Sequence, residues 1–225
     1  MNKISKRISI DSKIEEIMKK TTSSKKRIPT YYSKKKDSMY YLILMFLRKS
    51  HENNKEFVFS RLYLELAFET LGFWKMKMRG SRMVDFETFY ESVLKNKASL
   101  MKFGGKKAEN MKESKYKVLV TEAVELMKEL KIVKQENKTV AFSKMMHFIY
   151  PDLFMPIDNK YTLGYFKEIK NLPQDDKFIE SMMISYTITK YLKNNNISVK
   201  INLNKTTIEL PKTKIIDDII MHINN

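Results

Sequence analysis

The chain has 225 residues, with 43 lysines and arginines against 26 aspartates and glutamates and a formal net charge of +17. The absence of cysteine excludes disulfides and cysteine-ligated zinc, and the three histidines lie too far apart to suggest a metal site, so we expect neither metal nor cofactor. No apolar run approaches the roughly 20 residues that span a bilayer, and no signal peptide is apparent, so we expect an intracellular protein, cytoplasmic or nucleoid-associated, with no membrane partner.

The first 37 residues are predicted to form a basic N-terminal extension to a helical domain at residues 38–225. They hold 12 basic and 4 acidic side chains, a net +8, whereas the rest of the chain holds 31 and 22, a net +9. A lysine-rich composition alone would spread the excess evenly, so this distribution favours a polyanionic partner, most often nucleic acid. Within the extension, Ser12 and Glu15 have capping-box spacing and predict the start of a short helix.

Residues 21–36, TTSSKKRIPTYYSKKK, are predicted to form a flexible arm after this helix. Its basic side chains would neutralise phosphates, and its tyrosines would stack on exposed bases. The alternative is a solvated linker whose tyrosines pack on the body. The candidate nucleic-acid-binding residues of the arm are Lys25, Lys26, Arg27, Tyr31, Tyr32, Lys34, Lys35 and Lys36.

The body is predicted to be mainly helical, because apolar residues recur at helical spacing. A buried helix in MYYLILMFLRK precedes a second helix in EFVFSRLYLELAFETLGFW, which Gly72 is placed to end. The clearest periodicity is in DFETFYESVLKNKASL, after a cap at Asp85, and another helix follows in SKYKVLVTEAVELMKEL. Further helices are predicted in NKYTLGYFKEI and in DKFIESMMISYTITKYL, the latter capped by Asp175 or Asp176.

The C-terminal end of the chain changes character. ISVKINL alternates apolar and polar residues, a turn follows at Asn204–Lys205, and TTIEL completes a predicted β-hairpin near residues 197–210. KIIDDIIMHI then predicts a final helix. The expected fold is mainly α: a helical domain with one small C-terminal β-hairpin and a basic N-terminal extension.

Two glycine-containing loops between predicted helices combine a permissive backbone with positive charge. Basic residues flank the glycine in MKMRGSR, and two lysines follow paired glycines in FGGKKAE. Either loop could contact a phosphate backbone or be an ordinary interhelical connection, and FGGKKAE lacks the spacing of a P-loop. The candidate nucleic-acid-binding residues of these loops are Lys77, Arg79, Arg82, Lys106 and Lys107.

The stretch HFIYPDLFMPIDNKY, residues 147–161, concentrates ionisable side chains and prolines. A metal nuclease would place its second carboxylate and lysine on a strand, whereas the residues after Asp158 have helical periodicity, which disfavours that interpretation. Alternatively, Lys144 and His147 share one face of a helix that Pro151 ends, and Asp158 caps the next helix. A lysine amine can attack C1′ of a sugar, and a fixed carboxylate can stabilise the cation formed when a base departs. The candidate catalytic residues are Lys144, Asp158 and His147.

The order Lys144, apolar helix, proline, loop, Pro-Ile-Asp158, helix resembles the catalytic segment of the helix-hairpin-helix DNA glycosylase superfamily. It looks most like the 8-oxoguanine glycosylase branch, over about residues 138–166. The glycine-rich hairpin of that family is replaced here by QENKTVAFS. The resemblance implies a mainly helical fold, with Lys144 as the Schiff-base nucleophile and Asp158 as the carboxylate that assists it.

Several functions stay open on the sequence alone. The chain could be a DNA glycosylase/lyase that removes a base from nucleic acid, with DNA preferred over RNA as the partner. It could instead be a non-catalytic DNA- or RNA-binding component of a larger assembly with protein partners, keeping a glycosylase-like fold, or a protein–protein adaptor. In the purely structural interpretation, Asp158 only caps a helix, His147 is a core histidine and Lys144 is a surface lysine.

Overall fold

A computed structural model describes residues 3–23, 40–41, 43–47, 56–74, 82–203 and 206–223. The predicted fold class is confirmed, because helices dominate these described residues and their one sheet, of two short strands, lies near the C terminus. The nucleic-acid-binding candidates of the arm (residues 25–36), together with Lys77 and Arg79, lie outside the described residues.

Helix α1, Lys3–Ser23, packs on the rest of the chain through a stripe of isoleucines. Ile10, Ile14 and Ile17 recur at the spacing of one helix face, and all three are buried. The helix start predicted at Ser12 is wrong, because the helix begins nine residues earlier and Ile10 already belongs to the buried stripe.

The next helical elements are residues 40–41 and 43–47, a 3-10 turn at Phe57–Phe59 and helix α2 at Arg61–Phe73. Ser60 caps α2 by accepting a hydrogen bond from the backbone N–H of Tyr63 at 3.3 Å. The helix predicted over residues 56–74 therefore starts later, since the 3-10 turn and this cap precede it. Gly72 does not end α2, which continues for one more residue.

Three helices follow, namely α3 (Phe86–Lys95), α4 (Lys97–Met101) and α5 (Glu113–Glu129), with a 3-10 turn at Ala108–Asn110 before α5. The predicted cap of α3 is confirmed. The carboxylate of Asp85 accepts hydrogen bonds from the backbone N–H and the hydroxyl of Thr88, both at 2.8 Å. These bonds satisfy donors that the helix itself leaves unpaired.

Helix α6, Thr139–Ile149, has every residue from 141 to 149 buried. Two short helices, α7 (Thr162–Tyr165) and α8 (Lys167–Lys170), then replace the single helix predicted for NKYTLGYFKEI. They are separated at Phe166, whose φ of −90° and ψ of 66° leave the helical region while its ring is fully buried. The residue that interrupts the helix is thus one whose ring is buried in the core.

Helix α9, Gln174–Asn194, joins the other helices into one core, because it contacts α1, α5 and α6. Its N-cap is Pro173, so the cap predicted at Asp175 or Asp176 is wrong. Both aspartates lie in the first turn instead. Acidic side chains there favour the helix through its dipole, even though they do not cap it.

The predicted hairpin is confirmed as β1, Lys200–Leu203, paired antiparallel with β2, Thr206–Glu209. Ile201 lies opposite Ile208, and both side chains are buried. The final helix, α10 at Lys212–Ile223, packs against α1 and α9 and is buried from residue 213 to residue 220.

Replacing Ile17 with alanine should lower the free energy of unfolding by about 3 kcal/mol, because the substitution leaves a cavity between α1 and the body. Ile17 is fully buried, whereas Ile8 of the same helix is 64% exposed. The matched Ile8→Ala variant should therefore stay within about 0.5 kcal/mol of the wild type. Urea unfolding measures both, and equal effects of the two substitutions would contradict the docking of α1.

Candidate functional site

Lys144 lies on α6 among buried, mostly apolar neighbours. Its side chain is itself buried, although it carries a charged amine. An ammonium in such surroundings loses hydration and therefore requires a counter-charge close by. Lys144 is thus not the surface lysine that the purely structural interpretation assumes.

Asp158 comes from the loop that connects α6 to α7. Its Oδ1 accepts hydrogen bonds from the backbone N–H groups of Lys160 at 2.8 Å and Tyr161 at 3.4 Å. Its carbonyl accepts from the N–H of Leu163 at 2.9 Å, and its own N–H donates to the hydroxyl of Thr162 at 3.1 Å. These bonds hold both the backbone and the side chain of Asp158 in place in the turn before α7. The N-cap predicted at Asp158 is wrong, because the N-cap of α7 is Tyr161.

Lys144 and Asp158 form an ion pair. Nζ of the lysine lies 3.2 Å from Oδ2 of the aspartate, and the two side chains are 6% and 15% exposed. The preceding residues make a parallel contact, because Ser143 Oγ accepts a hydrogen bond from the N–H of Ile157 at 3.0 Å. Two consecutive residues of α6 thus hold two consecutive residues of the loop. The side chains that the sequence analysis paired do meet, while their catalytic role stays a prediction.

The carboxyl group of Asp158 is ionised at neutral pH. Burial acts to raise its pKa, but the charge of Lys144 and the hydrogen bonds from Lys160, Lys144 and Tyr161 outweigh that effect. The pKa of Asp158 consequently lies below its ordinary value. A carboxylate that stays charged in a partly desolvated position can stabilise positive charge that develops next to it.

Trp74, the single tryptophan of the sequence, connects this pair to a second group of buried charges. Its ring centroid lies 5.6 Å from Nζ of Lys144 and 5.6 Å from Nζ of Lys214. Both are cation–π distances. The indole also packs against the rings of Tyr40 and Phe148, at centroid separations of 5.6 and 4.9 Å. Two buried ammonium groups therefore share one aromatic neighbour.

The second group is a triad on α10 that the sequence analysis missed. Nζ of Lys214 lies 2.8 Å from Oδ2 of Asp217 and 2.7 Å from Oδ1 of Asp218, and all three side chains are buried. Desolvation acts to lower the pKa of Lys214, but the two carboxylates raise it well above its ordinary value, so the lysine keeps its charge. One sequence pattern could have predicted this triad. A lysine is followed three and four residues later by aspartates, within a run of isoleucines.

His147, the third candidate catalytic residue, is fully buried and hydrogen-bonded through both ring nitrogens. Nδ1 donates to the carbonyl of Phe154 at 2.7 Å, so Nε2 accepts from the hydroxyl of Tyr40 at 2.6 Å. Burial lowers the pKa of His147 to about 3, despite the opposing effect of the Phe154 hydrogen bond. A neutral ring with both nitrogens occupied favours a structural role for His147, which links α6, the following loop and Tyr40.

The described nucleic-acid-binding candidates lie apart from this cluster, on the surface. Lys106 and Lys107 are exposed in the loop before α5, and Arg82 is exposed ahead of α3. Nζ of Lys107 lies 3.6 Å from a carboxylate oxygen of Asp152, a weak contact between two exposed side chains. No contact in the described part of the chain brings these residues to Lys144 directly.

The described ranges contain neither a metal-binding cluster nor a membrane-spanning helix. In that part of the chain, no three or more histidine, aspartate or glutamate side chains are arranged to hold a metal ion. Nor does any helix there combine the length and the apolar character that crossing a membrane requires.

Comparison with known proteins gives no relative. The chain matches no protein-family model, no curated protein and no solved structure.

Replacing His147 with glutamine should make the stability less dependent on pH between about pH 7 and pH 5. The unfolded chain takes up a proton near the ordinary histidine pKa of 6.5, whereas His147 in the folded protein stays neutral down to about pH 3. Proton uptake by the unfolded state therefore lowers the free energy of unfolding as the pH falls, by about 2 kcal/mol from this residue over that range. Urea unfolding at the two pH values measures the change.

The matched control is His222→Gln, which removes an exposed histidine of α10. This variant should keep the pH dependence of the wild type. If His147→Gln also kept it in full, the assignment of a buried neutral ring would be contradicted.

Proposed function

We propose that this chain binds nucleic acid and removes a base from it, with Lys144 as the nucleophilic amine and Asp158 as the assisting carboxylate. The observation that carries the proposal is the 3.2 Å contact between a buried amine and a fixed carboxylate from successive elements. The net charge of +17 supports a polyanionic partner. The resemblance of this segment to helix-hairpin-helix DNA glycosylases supplies the reaction class.

The reaction begins when the Lys144 ammonium gives up a proton that the departing base takes with it. The free amine forms a bond to C1′ of the sugar as the bond from C1′ to the base breaks, and the bonding electrons leave with the base. Nζ then gives up a second proton, which the ring oxygen O4′ takes as the bond between C1′ and O4′ breaks; the sugar opens and a protonated imine is left between C1′ and Nζ. The carboxylate of Asp158 stabilises the positive charge of this intermediate.

A specific observation favours a second candidate function, binding without base removal. The side chains of Lys144 and Asp158 are only 6% and 15% exposed, so a substrate sugar must gain access to a pair that neighbouring side chains largely cover. If no such opening occurs, the ion pair serves only to hold the loop after α6. The chain would then act as a DNA- or RNA-binding component of a larger assembly.

Borohydride trapping on a duplex that carries an abasic site tests the enzyme proposal without knowledge of the natural lesion. A lysine amine condenses with the abasic aldehyde, water leaves, and borohydride reduces the imine to a stable secondary amine. The wild type should form a covalent adduct that denaturing electrophoresis detects. Lys144→Gln should abolish the adduct, and Asp158→Asn should slow its formation by at least about tenfold, because the protonated imine loses a stabilising carboxylate.

Lys160→Gln is the control, because Lys160 is exposed two residues from Asp158 and would account for nonspecific trapping. This variant should form the adduct at the wild-type rate. An adduct that survives in Lys144→Gln, or its absence from the wild type while duplex binding persists, would reject the enzyme proposal in favour of the non-catalytic one.

A further inference from the structure

Lysines from three separate parts of the chain gather around the 3-10 turn at Ala108–Asn110. One group belongs to the loop before this turn, another to the last turns of α9, and another lysine begins α10. The sequence separates the loop group from the other two groups by about 80 residues or more, and the fold brings all three to one turn. The lysines concerned are Lys106, Lys107, Lys190, Lys193 and Lys212.

Lys190 and Lys193 of α9 approach the same backbone atom of this turn. Nζ of Lys190 lies 3.2 Å from the carbonyl oxygen of Glu109, and Nζ of Lys193 lies 3.4 Å from the same oxygen. The two ammonium nitrogens are therefore less than about 7 Å apart. Lys193 also donates to Oδ1 of Asn110 at 2.9 Å, so neutral acceptors hold both amines in place.

Neither of these two ammonium groups forms an ion pair with a carboxylate of the described residues. Glu109 binds Lys212 instead, at 2.6 Å, and Asp152 lies 3.6 Å from Lys107. Two like charges this close repel each other, and an anion between them would relieve the repulsion. A phosphate group has the charge and the several acceptor oxygens to contact both amines at once.

The loop before the turn adds a second part to the same surface. Gly105 has a φ of +70°, a conformation that glycine adopts without strain, and Lys106 and Lys107 follow it in exposed positions. The exposed residues of the two segments, 104–107 and 193–196, are glycine, lysine and asparagine. They include no large apolar side chain of the kind that a membrane-binding surface inserts, which favours nucleic acid over an anionic membrane.

This surface is connected to the loop that carries Asp158. The N–H of Ala108 donates to the carbonyl of Asp152 at 3.0 Å, and Asp152 lies six residues before Asp158. Six residues span at most about 21 Å, so one nucleic acid a few base pairs long could reach both places.

We propose that Lys190 and Lys193 bind a backbone phosphate of nucleic acid, with Lys106 and Lys107 contacting the backbone beside it. The proposal rests on the nucleic-acid binding put forward above and names the surface that performs it. It does not depend on Lys144 being a nucleophile.

The test compares Lys190→Gln/Lys193→Gln with the wild type by fluorescence anisotropy on an undamaged DNA duplex over a range of salt concentrations. The double variant should bind about tenfold more weakly, and the slope of log affinity against log salt should fall in magnitude by about 1, as for one lost phosphate contact. Glutamine removes the charge and keeps an N–H donor, and thermal unfolding checks that both proteins are folded.

Lys167→Gln/Lys170→Gln is the matched control, because it removes two exposed lysines at the same spacing from α8. It should keep the wild-type slope. Three results would each overturn the proposal. The two double variants could lose DNA affinity equally, the wild type could show no salt-dependent binding, or the Lys190/Lys193 substitutions could weaken binding only to anionic phospholipid vesicles. Trapping at the abasic site is measured separately. If no adduct forms but the Lys190/Lys193 variant still binds DNA more weakly than the wild type, only the enzyme proposal is rejected.

Discussion

Charge buried inside the helical core must be neutralised there, and this constraint determines how the centre of the molecule is built. Lys144 on α6 and Lys214 on α10 both lose most of their contact with water. An isolated buried ammonium would be strongly unfavourable, so each lysine has carboxylates within hydrogen-bonding distance. The lysine on α6 takes its partner from the following loop, which positions that loop. The lysine on α10 takes two partners from its own helix, which allows this helix to be buried.

The elements that the sequence predicted well are those that local chemistry determines. The cap at Asp85 and the apolar repeat of α3 lie within a few residues of each other, as do the alternating residues of the hairpin. The error at the start of α1 arose because packing between distant segments decided the outcome. Ser12 has capping-box spacing, yet burial of Ile10 against the body continues the helix past it.

The candidate site was predictable only in part, for the same physical reason. The contact between Lys144 and Asp158 follows from a helix, a proline and an aspartate in the next turn, which lie close together in sequence. The triad of Lys214 was not recognised, because a lysine and two aspartates ordinarily indicate a solvated helix face. Only the tertiary packing of α10 shows that the lysine pairs with both aspartates and that the three side chains leave water together.

The central ion pair also constrains the proposed chemistry. In the resting protein, the contact between Lys144 and Asp158 stabilises the loop. Lys144 must leave this contact to reach a substrate, so substrate binding has to supply the free energy that separates the two side chains. The proposed phosphate contacts near Ala108 are one source of this free energy, because the backbone of Ala108 is hydrogen-bonded to the same loop. Both the structural role and the proposed catalytic role of the pair therefore depend on one measurable quantity, the coupling free energy between the two side chains.

A double-mutant cycle measures that coupling directly. The free energy of unfolding is determined by urea for the wild type, Lys144→Met, Asp158→Asn and the double variant. Each single substitution leaves a buried charge without its partner and should cost about 3 kcal/mol, whereas the double variant should cost less than the sum by at least about 1 kcal/mol. Costs that add to within about 0.5 kcal/mol would contradict the account, since the two side chains would then contribute independently.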